Sequence, residues 1–382
     1  MRIASVVGTR PQLIKAAVLQ PLLRARHQEL FIDTGQHYDD ALADSLISEL
    51  GLVPPDHQLG VGGGRATEQT AAMLVRLEPI LAAQRPDVVI VYGDTNSTLA
   101  GSIAAAQLRL PLAHVEAGLR SFDRRMPEEL NRVIADHLAT WAFAPTPTAV
   151  ANLAAEGLTE GVLLVGDLMQ DLAARLAGGV RDAAILDEIS AGLGGEAPGF
   201  RLQPGGYLFA TVHRAENREP AALRAWAELL GVVGSAERPV VLALHPGTAA
   251  ALESAGVALA PTVRVIEPQP YRTTLALQLH AAAVLTDSGG VQREAAWLGT
   301  PCLVLRSTTE WVEAVAGSEG RMVVVGRDTG RAAIELDRLA PLAHSGAIAQ
   351  ARAADLRIEP SGAAAAIVAA LEAGIEGSGA RP

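Results

Sequence analysis

Short apolar, β-rich runs alternate with stretches of helical periodicity along the whole chain. In the first half the runs are Arg2–Val7, Glu29–Asp33, Asp87–Tyr92, Pro111–Glu116, Thr140–Phe143 and Val162–Val165. A second series follows at Tyr207–Thr211, Val240–Leu244, Val263–Ile266, Ala283–Thr286, Cys302–Leu305 and Met322–Val325. Strand and helix in regular alternation is the pattern of a parallel sheet with helical crossovers. The chain therefore reads as α/β, two Rossmann-like domains in tandem. Between the strands the helices carry an apolar stripe. From Pro127 onward, Leu130, Ile134, His137, Leu138 and Trp141 recur at three- and four-residue spacings, which predicts a helix packed on a sheet.

The stretch from Ile189 to Pro198, with Pro204-Gly-Gly206 after it, is the richest in turn formers and marks the entry to the second half. Residues 1–167 form the expected N-terminal domain and 168–359 the C-terminal one. An Ala-rich helix at 360–376 is expected to cross back onto the first domain, leaving 377–382 as a frayed tail.

A length of 382 residues exceeds one ordinary core and suits two α/β domains, which implies a cleft between them. Although 49% of the residues are hydrophobic, Gly and Pro break every apolar run well short of the roughly 20 residues a membrane span needs. The N-terminus reaches Arg2 and Arg10 too soon for a signal peptide, so a cytoplasmic protein with no membrane partner is expected. The single cysteine, Cys302, excludes an internal disulfide and reads as a buried strand residue. A net charge of −11 argues against a nucleic-acid partner while leaving room for a local anion pocket. Lys15 is the chain's one lysine, all other cations of that kind being Arg, and this singles it out.

In doubly wound sheets ligands sit beyond the carboxyl ends of the strands, so polar residues directly after an apolar run are the first candidates. Gly8-Thr-Arg-Pro11 follows the first strand. A helix starting there would aim its amides, with Arg10 and Lys15, at an anion; the same residues also suit an ordinary turn with solvated bases. Asp287-Ser-Gly-Gly290 ends another run and opens a helix, so Ser288 can cap it while Gly289 and Gly290 let backbone amides approach a diphosphate. Glu294, one turn on, suits ribose hydroxyls or simply the positive end of the helix dipole. Asp94 and Glu116 stand at strand ends on one rim. Glu128 opens a helix and has the spacing of a salt bridge with Arg132. Three carboxylates converging on one pocket would provide an acid and a base near neutral pH. His213 ends the first strand of the second half, and His245 holds a similar place with less to recommend it. No residue spacing suggests zinc, and there is no Gly-x-Ser-x-Gly elbow.

Taken together, Gly8-Thr-Arg-Pro-Gln-Leu-Ile-Lys15, Thr34-Gly-Gln-His37, Gly93-Asp-Thr95, His114-Val-Glu-Ala-Gly-Leu-Arg120, Pro127-Glu-Glu-Leu-Asn-Arg132, Thr286-Asp-Ser-Gly-Gly-Val-Gln-Arg-Glu-Ala295 and Thr309-Glu310 resemble the non-hydrolysing UDP-N-acetylglucosamine 2-epimerase family. The motifs run in family order from residue 8 to about residue 313. The resemblance implies a glycosyltransferase-B-like fold, a homodimer, a UDP-sugar substrate and no cofactor. It implies elimination of UDP across C1 and C2 to a 2-acetamidoglucal, then re-addition with the opposite configuration at C2. Catalysis then falls to Asp94, Glu116, Glu128, Arg132 and His213, and UDP and sugar binding to Arg10, Lys15, Ser288, Gly289, Gly290 and Glu294. Gln36 and His37 correspond to a loop that forms a regulatory site in some members.

Two departures stand out: Gln12 replaces a frequent Glu, and Tyr38-Asp-Asp40 follows His37, both expected to touch the periphery rather than the acid and base. Gly166–Asp171 and Thr309–Glu313 resemble a branch acting on modified sugars such as 2,3-diacetamido uronic acids. The competing readings are a hydrolysing epimerase, a retaining glycosyltransferase and a silent UDP-sugar sensor.

Overall fold

The computed structural model describes residues 1–36, 46–192, 201–341 and 344–377. The chain forms two compact units, Met1–Leu172 with Glu359–Pro382, and Ala173–Ile358. The boundary falls inside a helix, after Leu172.

In the first unit, strands β1 (Arg2–Val7), β2 (Gln28–Asp33), β3 (His57–Gln58), β4 (Val88–Tyr92), β5 (Leu112–Val115), β6 (Trp141–Ala144) and β7 (Val162–Leu164) pair in the order β3-β2-β1-β4-β5-β6-β7. All pairings are parallel. Between them lie α1 (Arg10–Arg26), α2 (Ala66–Gln84), α3 (Asn96–Gln107), α4 (Pro127–Leu138) and α5 (Pro147–Ala155); α6 (Leu168–Val180) begins in this unit and ends in the second, to which α7 (Ala184–Gly192) belongs. Helices on both faces bury the central strands: every residue of β4 and β5 is buried, and β4 accordingly reads Val-Val-Ile-Val-Tyr. Ala4, Val6, Val89 and Val91 meet Met73, Leu77 and Leu81 of α2 in one apolar core.

The second unit repeats the scheme. β8 (Leu208–Val212), α8 (Pro220–Val233), β9 (Val240–Leu244), α9 (Pro246–Ser254), β10 (Val263–Ile266), α10 (Tyr271–His280), β11 (Val284–Thr286), α11 (Gly289–Leu298), β12 (Cys302–Val304), α12 (Val312–Gly317), β13 (Met322–Val324), α13 (Thr329–Leu339) and α14 (Ser345–Asp355) follow in sequence. The parallel sheet runs β10-β9-β8-β11-β12-β13. Its core joins Leu208, Ala210 and Val212 to Leu223, Trp226 and Leu230 of α8. Strand order reverses between β1 and β4 in the first unit and between β8 and β11 in the second, and each reversal opens a crevice at the carboxyl ends of the strands.

Each apolar run of the sequence is a strand, its ends within a residue of those expected. The edge strand β3 has no such run to announce it. The final helix, α15 (Ala363–Gly377), lies on α1, where Glu372 pairs with Arg26 at 3.3 Å and His27 at 3.0 Å. Of the expected tail, residues 378–382 lie outside the described residues, as does 193–200 of the turn-rich stretch. Ile189–Gly192, read as loop, instead ends α7.

α4 corrects a second expectation. Its apolar stripe does not face the sheet: Leu130 is 47%, Ile134 39% and Leu138 37% exposed, while Glu129, Asn131, Arg132, Ala135 and Asp136 are buried. Periodicity located the helix but not the side that faces inward: Arg132 and Asp136 there are matched by Asp94, Glu129, His114 and Arg120, and turning the stripe inward would leave those buried charges unpaired. No helix among the described residues is long and apolar enough to cross a membrane. Cys302 is buried in β12, and burial pushes its thiol up to about 12.

Candidate active site

The site residues fall into two groups, one on each unit. In the first, β1 ends at Val7 and the chain turns through Gly8 into α1, whose first residues are Arg10 and Pro11. Gly8 is needed because a Cβ would run into the hydroxyls of Thr34 and Ser97, and Gln36 stands beside them, accepting from the Ser97 hydroxyl at 2.7 Å and its amide at 3.0 Å. His37 lies outside the described residues. Arg10 is half-buried at the start of α1, and Lys15, one turn further, is buried.

The Lys15 ammonium pairs directly with the carboxylate of Glu116, which follows β5. Glu116 itself sits at φ +73, a left-handed conformation costing a non-glycine residue about 1–3 kcal/mol, held by the hydrogen bond its backbone N–H donates to the Phe143 carbonyl at 3.1 Å. Asp94 follows the neighbouring strand β4 through Gly93, at φ +61. A Cβ on Gly93 would stand 3.4 Å from the Lys15 ammonium, so the two strand ends share that lysine. From α4, Arg132 pairs with the Asp94 carboxylate and Asn131 donates to the Asp94 carbonyl at 3.0 Å. Arg132 also binds Glu129 at 2.8 Å, and Glu129 in turn accepts from the Ser121 and Phe122 amides, each at 2.9 Å. Thus Asp94, Glu116, Lys15 and Arg132 come together, two carboxylates on adjacent strands each matched by a cation. Glu128 is half-buried in the first turn of α4, one turn ahead of Arg132.

In the second group, β8 ends beside β11 and their tips are tied by the Thr211 and Thr286 hydroxyls at 2.6 Å. Asp287 is wholly buried and holds the opposite loop: it accepts from the His213 amide at 3.0 Å, the Arg214 amide at 2.9 Å and the Asn217 amide side chain at 2.8 Å. His213 Nδ1 lies 3.1 Å from the same carboxylate, with the imidazole 42% exposed. Burial opposes ionisation of Asp287, but the neighbouring His213 and these donors more than offset it and hold the carboxyl down to about 2. Ser288 caps α11 by accepting from the Val291 amide. A Cβ on Gly289 would meet Glu310 at 2.6 Å and the Trp311 indole nitrogen at 2.9 Å, so glycine is required there. The first turn of α11, with Gly289 and Gly290, carries free-standing helix amides and a positive dipole end suited to an anion. Glu294, buried one turn along, accepts from Gln278 at 2.5 Å. His245 caps α9, accepting from the Gly247 amide at 3.1 Å.

A family model described as UDP-N-acetylglucosamine 2-epimerase matches residues 22–370. The chain belongs to the UDP-N-acetylglucosamine 2-epimerase family. It is 40% identical to the UDP-2,3-diacetamido-2,3-dideoxy-D-glucuronate 2-epimerase of Pseudomonas aeruginosa, over 86% of this chain and 90% of that one. It is 35% identical to the UDP-N-acetylglucosamine 2-epimerase of Escherichia coli K12, over 89% and 90% of the two chains. The structure superposes on that of the Methanocaldococcus jannaschii UDP-GlcNAc 2-epimerase in complex with UDP-GlcNAc and UDP, with a TM-score of 0.83 and 32% identity, covering 98% of this chain and 100% of that one.

For this 2-epimerase family member, sequence reasoning passed over the residues that hold the site. Gln12 is not peripheral: it is buried, and its Nε2 donates to the Tyr92 carbonyl at 2.7 Å and reaches Thr95 Oγ1 at 2.9 Å, locking the turn that carries Asp94. Asp287 was visible only as the end of an apolar run, and Glu129 only as Glu128's neighbour. Their one sequence signal is a charged residue where an apolar one would otherwise be buried. Among the described residues no cluster of three His, Cys, Asp or Glu could hold a metal.

Proposed function

We propose that the chain reversibly epimerises C2 of UDP-N-acetylglucosamine, or of a closely related UDP-2-acetamido sugar, without hydrolysis. Asp94 and Glu116 carry this reading: two carboxylates at the ends of adjacent strands, each beside a cation from a different helix. In the forward step the C1–O bond to UDP breaks, a carboxylate takes the C2 proton, and the electron pair becomes the C1–C2 double bond of the glycal. In the return step the UDP oxygen attacks C1 and a proton arrives at C2 from the other face. The C2 proton is weakly acidic, so stabilising the departing diphosphate is the main electrostatic task. Arg10, the α11 amides at Ser288–Gly290 and His213 serve it, with Glu294 on the ribose. Glu128 and Arg132 assist at the sugar, and Gln36 with His37 marks the place of a regulatory loop. The exposed stripe of α4 supports a homodimer, since Leu130, Ile134 and Leu138 make a continuous apolar face in want of a partner.

Incubation with UDP-N-acetylglucosamine in deuterium oxide, followed by proton NMR, tests the reaction. Deuterium at C2 of a persistent UDP-sugar is expected, and quantitative free UDP with free N-acetylmannosamine would establish the hydrolysing alternative instead. Asp94→Asn and Glu116→Gln are each expected to keep UDP affinity and lose turnover by about 100-fold or more. Wild-type rates in both variants would remove the two carboxylates from the mechanism.

A further inference from the structure

Behind the two carboxylates lies a buried charged pair that the reaction does not call for. His114, in β5, and Asp136, in α4, are both inaccessible to solvent, with His114 Nδ1 2.6 Å from Asp136 Oδ1. The other ring nitrogen, Nε2, lies 2.7 Å from the Gly93 carbonyl. A carbonyl only accepts, so Nε2 carries hydrogen; a carboxylate likewise accepts, so Nδ1 does too. Burial opposes the charge on Asp136, but His114 and Arg120 outweigh it and hold the carboxyl below the usual range. Asp136 also accepts from Arg120 Nη1 at 2.7 Å and from the Gly118 amide at 3.1 Å.

This pair touches each element that aims a candidate acid or base. Gly93 is pinned on both sides by β5, its amide donating to the Val115 carbonyl at 2.9 Å and its carbonyl taking the His114 proton. The next residue is Asp94. Two residues beyond His114 stands Glu116. Asp136 shares α4 with Asn131 and Arg132, which grip the backbone and side chain of Asp94. We propose that His114, through Asp136, is the positioning residue that sets the Gly93–Asp94 turn against Glu116 and α4, keeping the two carboxylates at the spacing the proton transfers need. It touches no substrate and acts through the Gly93 carbonyl. The inference rests on the acid/base reading of Asp94 and Glu116 given above.

Two isosteric variants separate its contacts. In His114→Gln the amide nitrogen falls where Nε2 was and keeps the bond to Gly93; in His114→Asn it falls where Nδ1 was and keeps only the bond to Asp136. Misplacing a reacting group by about 1 Å costs on the order of 100-fold. With UDP-N-acetylglucosamine as substrate, His114→Asn is expected to lower kcat by about 100-fold with KM and melting temperature near wild type, and His114→Gln to recover kcat to within about tenfold of wild type. Asp136→Asn, which keeps the shape but discharges the pair, should fall between them. Equal kcat in the Gln and Asn variants overturns the inference. So does a fall in kcat that tracks a rise in KM or a loss of melting temperature, since the pair would then only hold the fold. Asp94→Asn and Glu116→Gln run alongside: wild-type turnover there defeats the acid/base reading, whereas their inactivity with a fully active His114→Asn defeats only the positioning role.

Discussion

The two units share one strand order up to the sixth strand, yet they arrange the ends of those strands differently. The first surrounds its carboxylates with cations: Glu116 has Lys15, Asp94 has Arg132, and behind them Asp136 has both His114 and Arg120. The second centres on buried Asp287, which gathers two backbone amides and the Asn217 side chain with the His213 ring beside it, while Arg306 and Glu310 pair at 2.7 Å behind the glycines and helix amides of α11. Side-chain charges suit proton transfer, because they can be matched to a reacting carbon. Backbone amides suit a diphosphate, because they bind without a titrating group. One topology is thus specialised twice by the residues set just beyond each strand.

The largest effect in this comparison is expected at Asp287. Its carboxyl lies at about 2 instead of the usual 3.8, and at about 1.4 kcal/mol per tenfold this favours the folded state by about 2 kcal/mol. A depressed carboxyl stabilises above its unfolded value and loses that contribution as pH falls through its folded one. The gap in unfolding free energy between wild type and Asp287→Asn should therefore be full at pH 7 and close between about pH 4 and pH 2. Urea titrations across that range measure it; a gap constant with pH would mean the charge is not what organises the loop. The same variant should weaken UDP binding about tenfold or more through the released His213 and Arg214 amides.

Next in size is a matched pair of glycine changes. In Gly289→Ala the new methyl meets Glu310, itself held by Arg306 at 2.7 Å, at 2.6 Å and Trp311 at 2.9 Å, so these side chains or the first turn of α11 must shift. In Gly8→Ala it runs into Thr34 and Ser97, beneath the loop that leads to Arg10 and Lys15. Each overpacked site should lose about 1–3 kcal/mol of stability. Kinetics should separate them: Gly289→Ala raises the dissociation constant for UDP with kcat little changed, and Gly8→Ala lowers kcat. The reverse assignment would break the division of labour between the units.

How much of the molecule is legible in its sequence obeys the same divide. The strands were readable because parallel strands buried on both faces are apolar along their length, as β4 is. Residues after those strands were readable because the fold places ligands there: Asp94, Glu116, His213 and Ser288 all stand at carboxyl ends. The layer beneath escaped. Gln12 and Asp287 act through partners 70 or more residues away, as with Gln12 and Tyr92 or Asp287 and Asn217, and Asp136 is turned inward by a helix rotation; no local pattern encodes either. α4 is the plainest case. Its hydrophobic period is regular, and its ion pairs reverse the face that period would bury.

That reversal supplies the smallest expected effect and the means to measure it. Leu223 of α8 is wholly buried in the core of the second unit, so Leu223→Ala should cost about 2–5 kcal/mol. Leu130 and Ile134 of α4 face outward at 47% and 39% exposure, so Leu130→Gln or Ile134→Gln should alter the stability of the folded chain by no more than about 0.5 kcal/mol. If the α4 face seats a second copy, the same two changes combined should nevertheless shift sedimentation from dimer to monomer while far-UV circular dichroism stays constant. The two measurements answer separate questions. A loss of several kcal/mol in dilute monomer would restore the inward-facing stripe, whereas unchanged stability with an unchanged dimer would keep α4 as described and move the subunit interface elsewhere.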